Sequence, residues 1–268
     1  MMNLDRFSVN QMTVKQLSLP DLVAHCVRLG IPGVGLWREP VQEYGVEAAA
    51  ELVRDAGLTV TTLCRGGFFT SDGWEEENRT AIDEAVTLGT DTVVLVSGGL
   101  TPAFPDLPSA RARITEAIGA LAPYAGERGI RLAVEPLHPM YAADRCAVST
   151  LDQALAVAEH FPPEQVGVVV DTYHLWWDDR APAAVERAGA AGRIHSFQLA
   201  DWTTPLPAGV LTGRGQLGTG AIDLRAWADL TEKAGWTGPV EVEIFNDDLW
   251  SRNGVEVLEE TLEAFLSV

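Results

Sequence analysis

Along the chain, short unbroken apolar runs alternate with longer stretches whose apolar positions recur every three or four residues, and glycine often sits between them. That alternation is the signature of strand, turn and amphipathic helix repeated many times. FSVNQMT (7–13) reads as a first short strand. Ser18, Leu19, Pro20 and Asp21 then supply an N-cap, an early proline and a first-turn acid for a helix running through Arg28, with Gly30 as its stop. GVGLW (33–37) is the second strand, 46–56 a helix closed by Gly57, and LTVTTLC (58–64) the third strand, running into Arg65, Gly66 and Gly67. The rhythm continues with a helix over 74–88 before Gly89, a strand TVVLV (92–96) tipped by Ser97, Gly98 and Gly99, a helix over 110–126, and RLAVEP (131–136). A helix over 150–160 precedes VGVVVD (166–171), and another helix joins that strand to RIHSFQLAD (193–201). The series ends with a helix over 224–234, PVEVEIF (239–245) and a helix over 255–266.

Eight strands that are mostly continuous runs of Val, Leu and Ile, each followed by a helix, predict a parallel sheet covered on both faces. The length of 268 residues suits one closed barrel, and no linker or composition shift marks a second domain. The fold expected is α/β, a single-domain (β/α)8 TIM barrel over residues 1–268. An open doubly wound sheet would carry a glycine-rich turn after its first strand, and FSVNQMT has none.

Charge narrows the function. A net charge of -19 repels a phosphate backbone, so nucleic acid is not an expected partner. Cys26, Cys64 and Cys146 are odd in number and widely spaced, which fits neither a disulfide framework nor a zinc motif and points to reduced thiols in the cytoplasm. The start MMNLDRFSVN lacks a basic segment followed by an apolar one, and no window approaches 18 uninterrupted apolar residues, so neither export nor a membrane partner is expected. The sequence leaves homo-oligomerisation open.

The chemistry gathers at strand ends. Glu135, Asp171, Gln198 and Glu243 fall on the fifth to eighth strands, and in a closed barrel such positions converge on one side of the mouth. Any one of them alone could be an ordinary exposed or salt-bridged side chain. Three carboxylates in one small space need a cation, and carboxylates plus one amide oxygen suit Mn²⁺ or Mg²⁺ better than zinc. EPLHP (135–139), DTYHLWW (171–177), HSFQLADW (195–202), GRGQLGTGAID (213–223) and VEVEIF (240–245) together resemble the xylose-isomerase-like TIM barrels, the sugar phosphate isomerase/epimerase superfamily. The resemblance covers most of the chain. It implies Glu135, Asp171, Gln198 and Glu243 as metal ligands, with Glu135 and Glu243 also facing each other across the substrate as catalytic groups. Many members carry histidine where this chain has Gln198, which makes zinc a less natural ion; hydroxypyruvate isomerases and dehydroshikimate dehydratases use glutamine there.

His174 follows Asp171 by three residues, where in the barrels this chain resembles a histidine touches a substrate hydroxyl or carbonyl, and His138 follows Glu135 by the same offset, so the resemblance implies both as candidates for substrate contact. Arg214, in a glycine-rich loop, is the leading candidate for a cationic clamp on substrate oxygens; Arg65 and Arg38 are weaker ones. His195 alternates onto the face opposite Gln198 and is expected to be structural. The activity expected is isomerisation or epimerisation of a sugar-like hydroxy-carbonyl compound. A divalent ion would stabilise the enediolate and a carboxylate would take the proton next to the carbonyl. Dehydration or β-elimination from the same intermediate is the alternative, and a non-catalytic sugar-binding barrel a second. A barrel endonuclease would need many more histidines than five and a basic face.

Overall fold

In a computed structural model, described over residues 2–207 and 210–268, eight parallel strands close into a barrel surrounded by helices. The strands are β1 (Phe7–Asn10), β2 (Gly33–Trp37), β3 (Thr59–Gly67), β4 (Thr92–Val96), β5 (Arg131–Glu135), β6 (Val166–Asp171), β7 (Ile194–Leu199) and β8 (Val240–Val242). They pair in sequence order, and β8 closes on β1 through Phe7 opposite Val240 and Val9 opposite Val242. Met1, part of the N-terminal motif read above, lies outside the described residues. Among the described residues no helix is long and apolar enough to cross a membrane.

Strand alternation separates two cores. On β6, Val168 and Val170 join the large core between barrel and helices, while Val169 joins Cys64, Val94 and Ala133 in a small apolar plug inside the barrel. Glu135 and Asp171 stand two residues beyond Ala133 and Val169, so the same alternation lifts both carboxyls above the plug on the inner face. The helices form where their caps predict. Ser18 accepts from the backbone N–H of Asp21 at the start of Leu19–Leu29, and Gly30 ends that helix at φ 69°.

Three of the departures from expectation have a clear local reason. β1 stops at Asn10, not at Thr13, because Asn10 turns the chain by accepting from the N–H of Met12. A helix at Arg38–Tyr44 had no signal in the sequence, being too short to show a period. β8 ends at Val242, not at Phe245: the N–H of Glu243 still reaches the carbonyl of Leu199, but the carbonyl of Phe245 accepts from Arg214 in the loop.

His195 shows how the outer layer handles a polar group. Its Nε2 lies 2.8 Å from the carbonyl of Pro163, so that nitrogen carries the proton and the ring is held neutral. Burial, with Arg131 adding, pushes its pKa down to about 4. A depressed pKa favours the fold above the unfolded value of about 6.5 and withdraws that stability as pH falls towards 4, by about 3 kcal/mol in all. His195→Gln should therefore lose less stability than the parent chain between pH 7 and pH 4 in urea melts; parallel pH profiles would refute this.

Candidate active site

The C-terminal end of the barrel gathers three buried carboxyls, Glu135, Asp171 and Glu243, around the buried guanidinium of Arg214, and a fourth, Glu241, lies one step below Glu243 on its strand. Arg214 arrives from a two-residue strand pairing that folds back over the barrel, where Trp202 stands opposite Arg214. Its Nη1 donates to Asp171 Oδ2 at 3.1 Å, to Glu243 Oε2 at 2.9 Å and to the Glu243 carbonyl at 3.0 Å. Asn246 donates to the Arg214 carbonyl and fixes the loop from below. Burial opposes the charge of Arg214, but Asp171, Glu243 and Glu135 outweigh it and hold its pKa above the ordinary arginine value.

One cation does not neutralise the group. Burial, then the charges of Glu243 and Asp171, push Glu135 well above the usual carboxylate range. Burial pushes Glu243 up to about 7 even with Arg214 beside it, and raises Asp171 against the same arginine and the N–H of Tyr173. His174 is caught between donors: its Nδ1 accepts from the N–H of His138 at 3.1 Å, while Nη2 of Arg214 lies 3.1 Å from its Nε2. Burial and Arg214 keep the ring neutral, its pKa well below the ordinary value. A neutral imidazole has one acceptor nitrogen, so only one of the two donors is satisfied at a time. Asp171 Oδ2, 3.8 Å from the same Nε2, is the acceptor that a shift of Arg214 would release to it.

Glu241 had not been singled out in the sequence. Asn10 Nδ2 and Gln198 Nε2 donate to its Oε1 at 2.7 and 3.1 Å, and Thr61 and Thr62 donate to its Oε2 at 2.8 Å each. Burial raises its pKa, and these four bonds counter the rise. A Cβ at Gly35 would lie 2.5 Å from its carboxyl, so the bare backbone of β2 makes the space. The signal was available: in VEVEIF both glutamates fall on one face of the strand. Because Gln198 spends its N–H on Glu241, its amide oxygen is left buried without a partner, as is Oε1 of Glu135.

Two unpartnered buried oxygens beside crowded carboxyls fit a divalent cation. Ligand atoms of Glu135, Asp171 and His174 lie within 4.8 Å of one another, as do those of Cys64, Glu241 and Glu243. Asp171 and Glu243 are linked through Arg214, and Gln198 stands level with Asp171 in the sheet. A cavity of about 200 Å³ opens onto Glu135, His174, Arg214 and Glu243, walled by Trp37, Tyr141 and Phe245. A larger hollow of about 330 Å³ lies beneath Glu241, where Asp91 and Arg131 are paired with each other and His195 is bonded to backbone.

Two sequence candidates lie elsewhere. His138 does not line the cavity: its ring packs against Trp202 and Trp177, with centroids 5.0 and 5.5 Å away, and its Nδ1 accepts from the N–H of Met140. Arg38 is drawn away from the mouth into ion pairs with Glu84 and Glu77 of the helix Trp74–Leu88. Arg65 does line the cavity.

The profile of the Xylose isomerase-like TIM barrel family matches residues 23–267, and the chain belongs to that family. A crystal structure of protein SMc04130 from Sinorhizobium meliloti 1021 superposes with a TM-score of 0.95 at 40% identity, covering 99% of this chain and 98% of that one. A crystal structure of IOLI protein with a bound zinc atom superposes at 0.82 with 20% identity, covering 98% and 97%, which shows a shared fold. The inosose isomerase of Bacillus velezensis is 28% identical over 158 residues, 57% of this chain and 54% of that protein, so the match spans about half the length of each.

Removing the guanidinium should expose the repulsion it masks. Arg214→Met is expected to cost about 3–5 kcal/mol at pH 8, the usual price of leaving buried charges unpaired, and clearly less at pH 5, where Glu243, held near 7, carries a proton of its own. Urea melts of the metal-free variant at both pH values test this; an equal loss at the two would show that the carboxyls do not repel one another.

Proposed function

We propose that the chain is a divalent-metal-dependent isomerase or epimerase of a sugar-like hydroxy-carbonyl compound, acting by proton transfer next to the carbonyl. The observation that carries this reading is that Glu135 and Glu243, two buried carboxyls with raised pKa values, line one cavity together with Arg214, which is bonded to Glu243. Burial holds Glu243 near 7, which matches a group that must take a proton and give it back at neutral pH. Glu135 keeps one oxygen free of any protein donor and can serve as the partner group. Arg214 presents N–H donors where negative charge would develop on a substrate oxygen, and the neutral ring of His174 lines the same space. Trp37 and Phe245, in edge contact, form an apolar wall that excludes water from the reacting carbon.

Glu135, Asp171, Gln198 and Glu243 are the residues we assign to the cation, and the mostly oxygen donor set favours Mn²⁺ or Mg²⁺. When bound, such an ion would lower the cost of negative charge on the carbonyl and adjacent hydroxyl oxygens. The names of the relatives, inosose isomerases among them, support a polyhydroxylated substrate. Two carboxyls on opposite sides of a reacting carbon suit epimerisation, and one carboxyl shuttling a proton on a single face suits isomerisation.

Glu135→Gln and Glu243→Gln keep size and a carbonyl oxygen while removing basicity, so each should lose turnover by roughly 10²-fold or more, with cation binding weakened less. Solvent deuterium exchange into a panel of ketoses and keto-cyclitols, with Mn²⁺ present, reads the proton transfer directly. For an epimerase, one variant should still exchange the substrate proton and the other should not. Exchange equally intact in both would place the base elsewhere.

A further inference from the structure

Among the described residues, every lysine and arginine but one has an ion pair, a side-chain hydrogen bond or an aromatic ring against its charge. The exception is Arg145, and it lines the cavity of the candidate active site. In a chain carrying 38 acidic against 19 basic residues, a half-buried arginine with no partner of any of these kinds is the one whose charge is open to a partner from outside.

Arg65 lines the same cavity. Its guanidinium lies 4.5 Å from the ring centroid of Phe68 and 5.9 Å from that of Trp37, and its one ion pair is a long 3.7 Å approach to the exposed Glu39. Burial, with Arg145 among the nearby charges, keeps its pKa below the ordinary arginine value. Two arginines facing one small space repel each other, and an anion placed between them relieves the repulsion and offers each a charge-assisted bond. Backbone holds both in place: Arg65 belongs to β3, while the carbonyl of Arg145 accepts from Gly98 at the tip of β4 and its N–H reaches the carbonyl of Tyr141. In the ring of eight strands, β3 and β4 lie across from β7 and β8, so this pair faces Arg214 and Glu243 over the cavity.

We propose that Arg65 and Arg145 form a subsite for an anionic substituent of the substrate, a carboxylate or a phosphate, placed across the cavity from the reacting carbon. The assignment rests on the reading of this cavity as the active site and narrows its substrate class to acidic hydroxy-ketones. Arg214 already has its charge balanced inside the protein, since its Nη1 is shared between Asp171 and Glu243, so it is not the arginine that lacks an anion.

The test uses the full chain with Mn²⁺ and three hydroxy-ketones that differ at one end: dihydroxyacetone, hydroxypyruvate and dihydroxyacetone phosphate. Calorimetry should show at least one anion binding about tenfold or more tighter than the neutral ketone, and Arg145→Gln and Arg65→Gln should each remove most of that preference while moving dihydroxyacetone by less than about twofold. Which anion gains identifies carboxylate or phosphate. Equal binding of all three, no binding of either anion at millimolar concentration, or variants that weaken neutral and anionic ketones alike would overturn the subsite. Solvent deuterium exchange on the same samples keeps the two ideas apart. Anion preference without exchange would stand against proton transfer and for the subsite, and exchange without anion preference would do the reverse.

Discussion

The structure depends on an imbalance of charge in a dry place. Glu135, Asp171, Glu241 and Glu243 are buried at or just below one end of the barrel, and Arg214 is the single fully buried guanidinium among them. Ionised carboxyls in an apolar interior cost far more than the fold's net stability unless they are paired, hydrogen-bonded or protonated. The chain uses all three remedies, one per residue. Asp171 and Glu243 share Arg214, Glu241 takes four hydrogen bonds, and Glu135 is pushed towards its protonated form.

The barrel makes that arrangement tolerable by stacking it in layers. Cys64, Val94, Ala133 and Val169 plug the interior, and the carboxyls of Glu135 and Asp171 rise one step above Ala133 and Val169 on the same strand faces. Glu241 lies one step below Glu243 on its strand, and it holds Gln198 by the N–H side of its amide. That bond fixes the amide and leaves its oxygen buried without a partner, so Gln198 is oriented by a buried carboxylate and not left free. The cost of burying Glu241 is thereby turned into orientation of the Gln198 amide.

Much of this was legible in the sequence because unbroken apolar runs ended by a charged residue mark barrel strands well. β2, β4 and β6 begin and end where the pattern places them. What escaped was set by partners distant in the chain. Arg38 sits at a strand tip, yet Glu84, 46 residues on, captures it. His138 and His174 share one offset from their carboxyls, but Asp171 leads into the helical turn Thr172–Leu175 while Glu135 is followed by Pro136 and an extended segment. Equal spacing therefore delivers one ring to the cavity and the other to a stack of tryptophans. Glu241 was hidden by its neighbour, since attention to the strand end passed over a second glutamate on the same face.

The central claim is that these carboxyls are held apart from full ionisation until a divalent cation joins them. Proton release on metal binding tests it most directly. Titrating the metal-free chain with Mn²⁺ at pH 7, in two buffers of different ionisation enthalpy, should give a buffer-dependent heat corresponding to release of up to about one proton per ion, because Glu243, held near 7, enters the reaction partly protonated and burial raises Glu135 in the same direction. Binding whose heat is the same in both buffers, or no binding at all, would contradict the account.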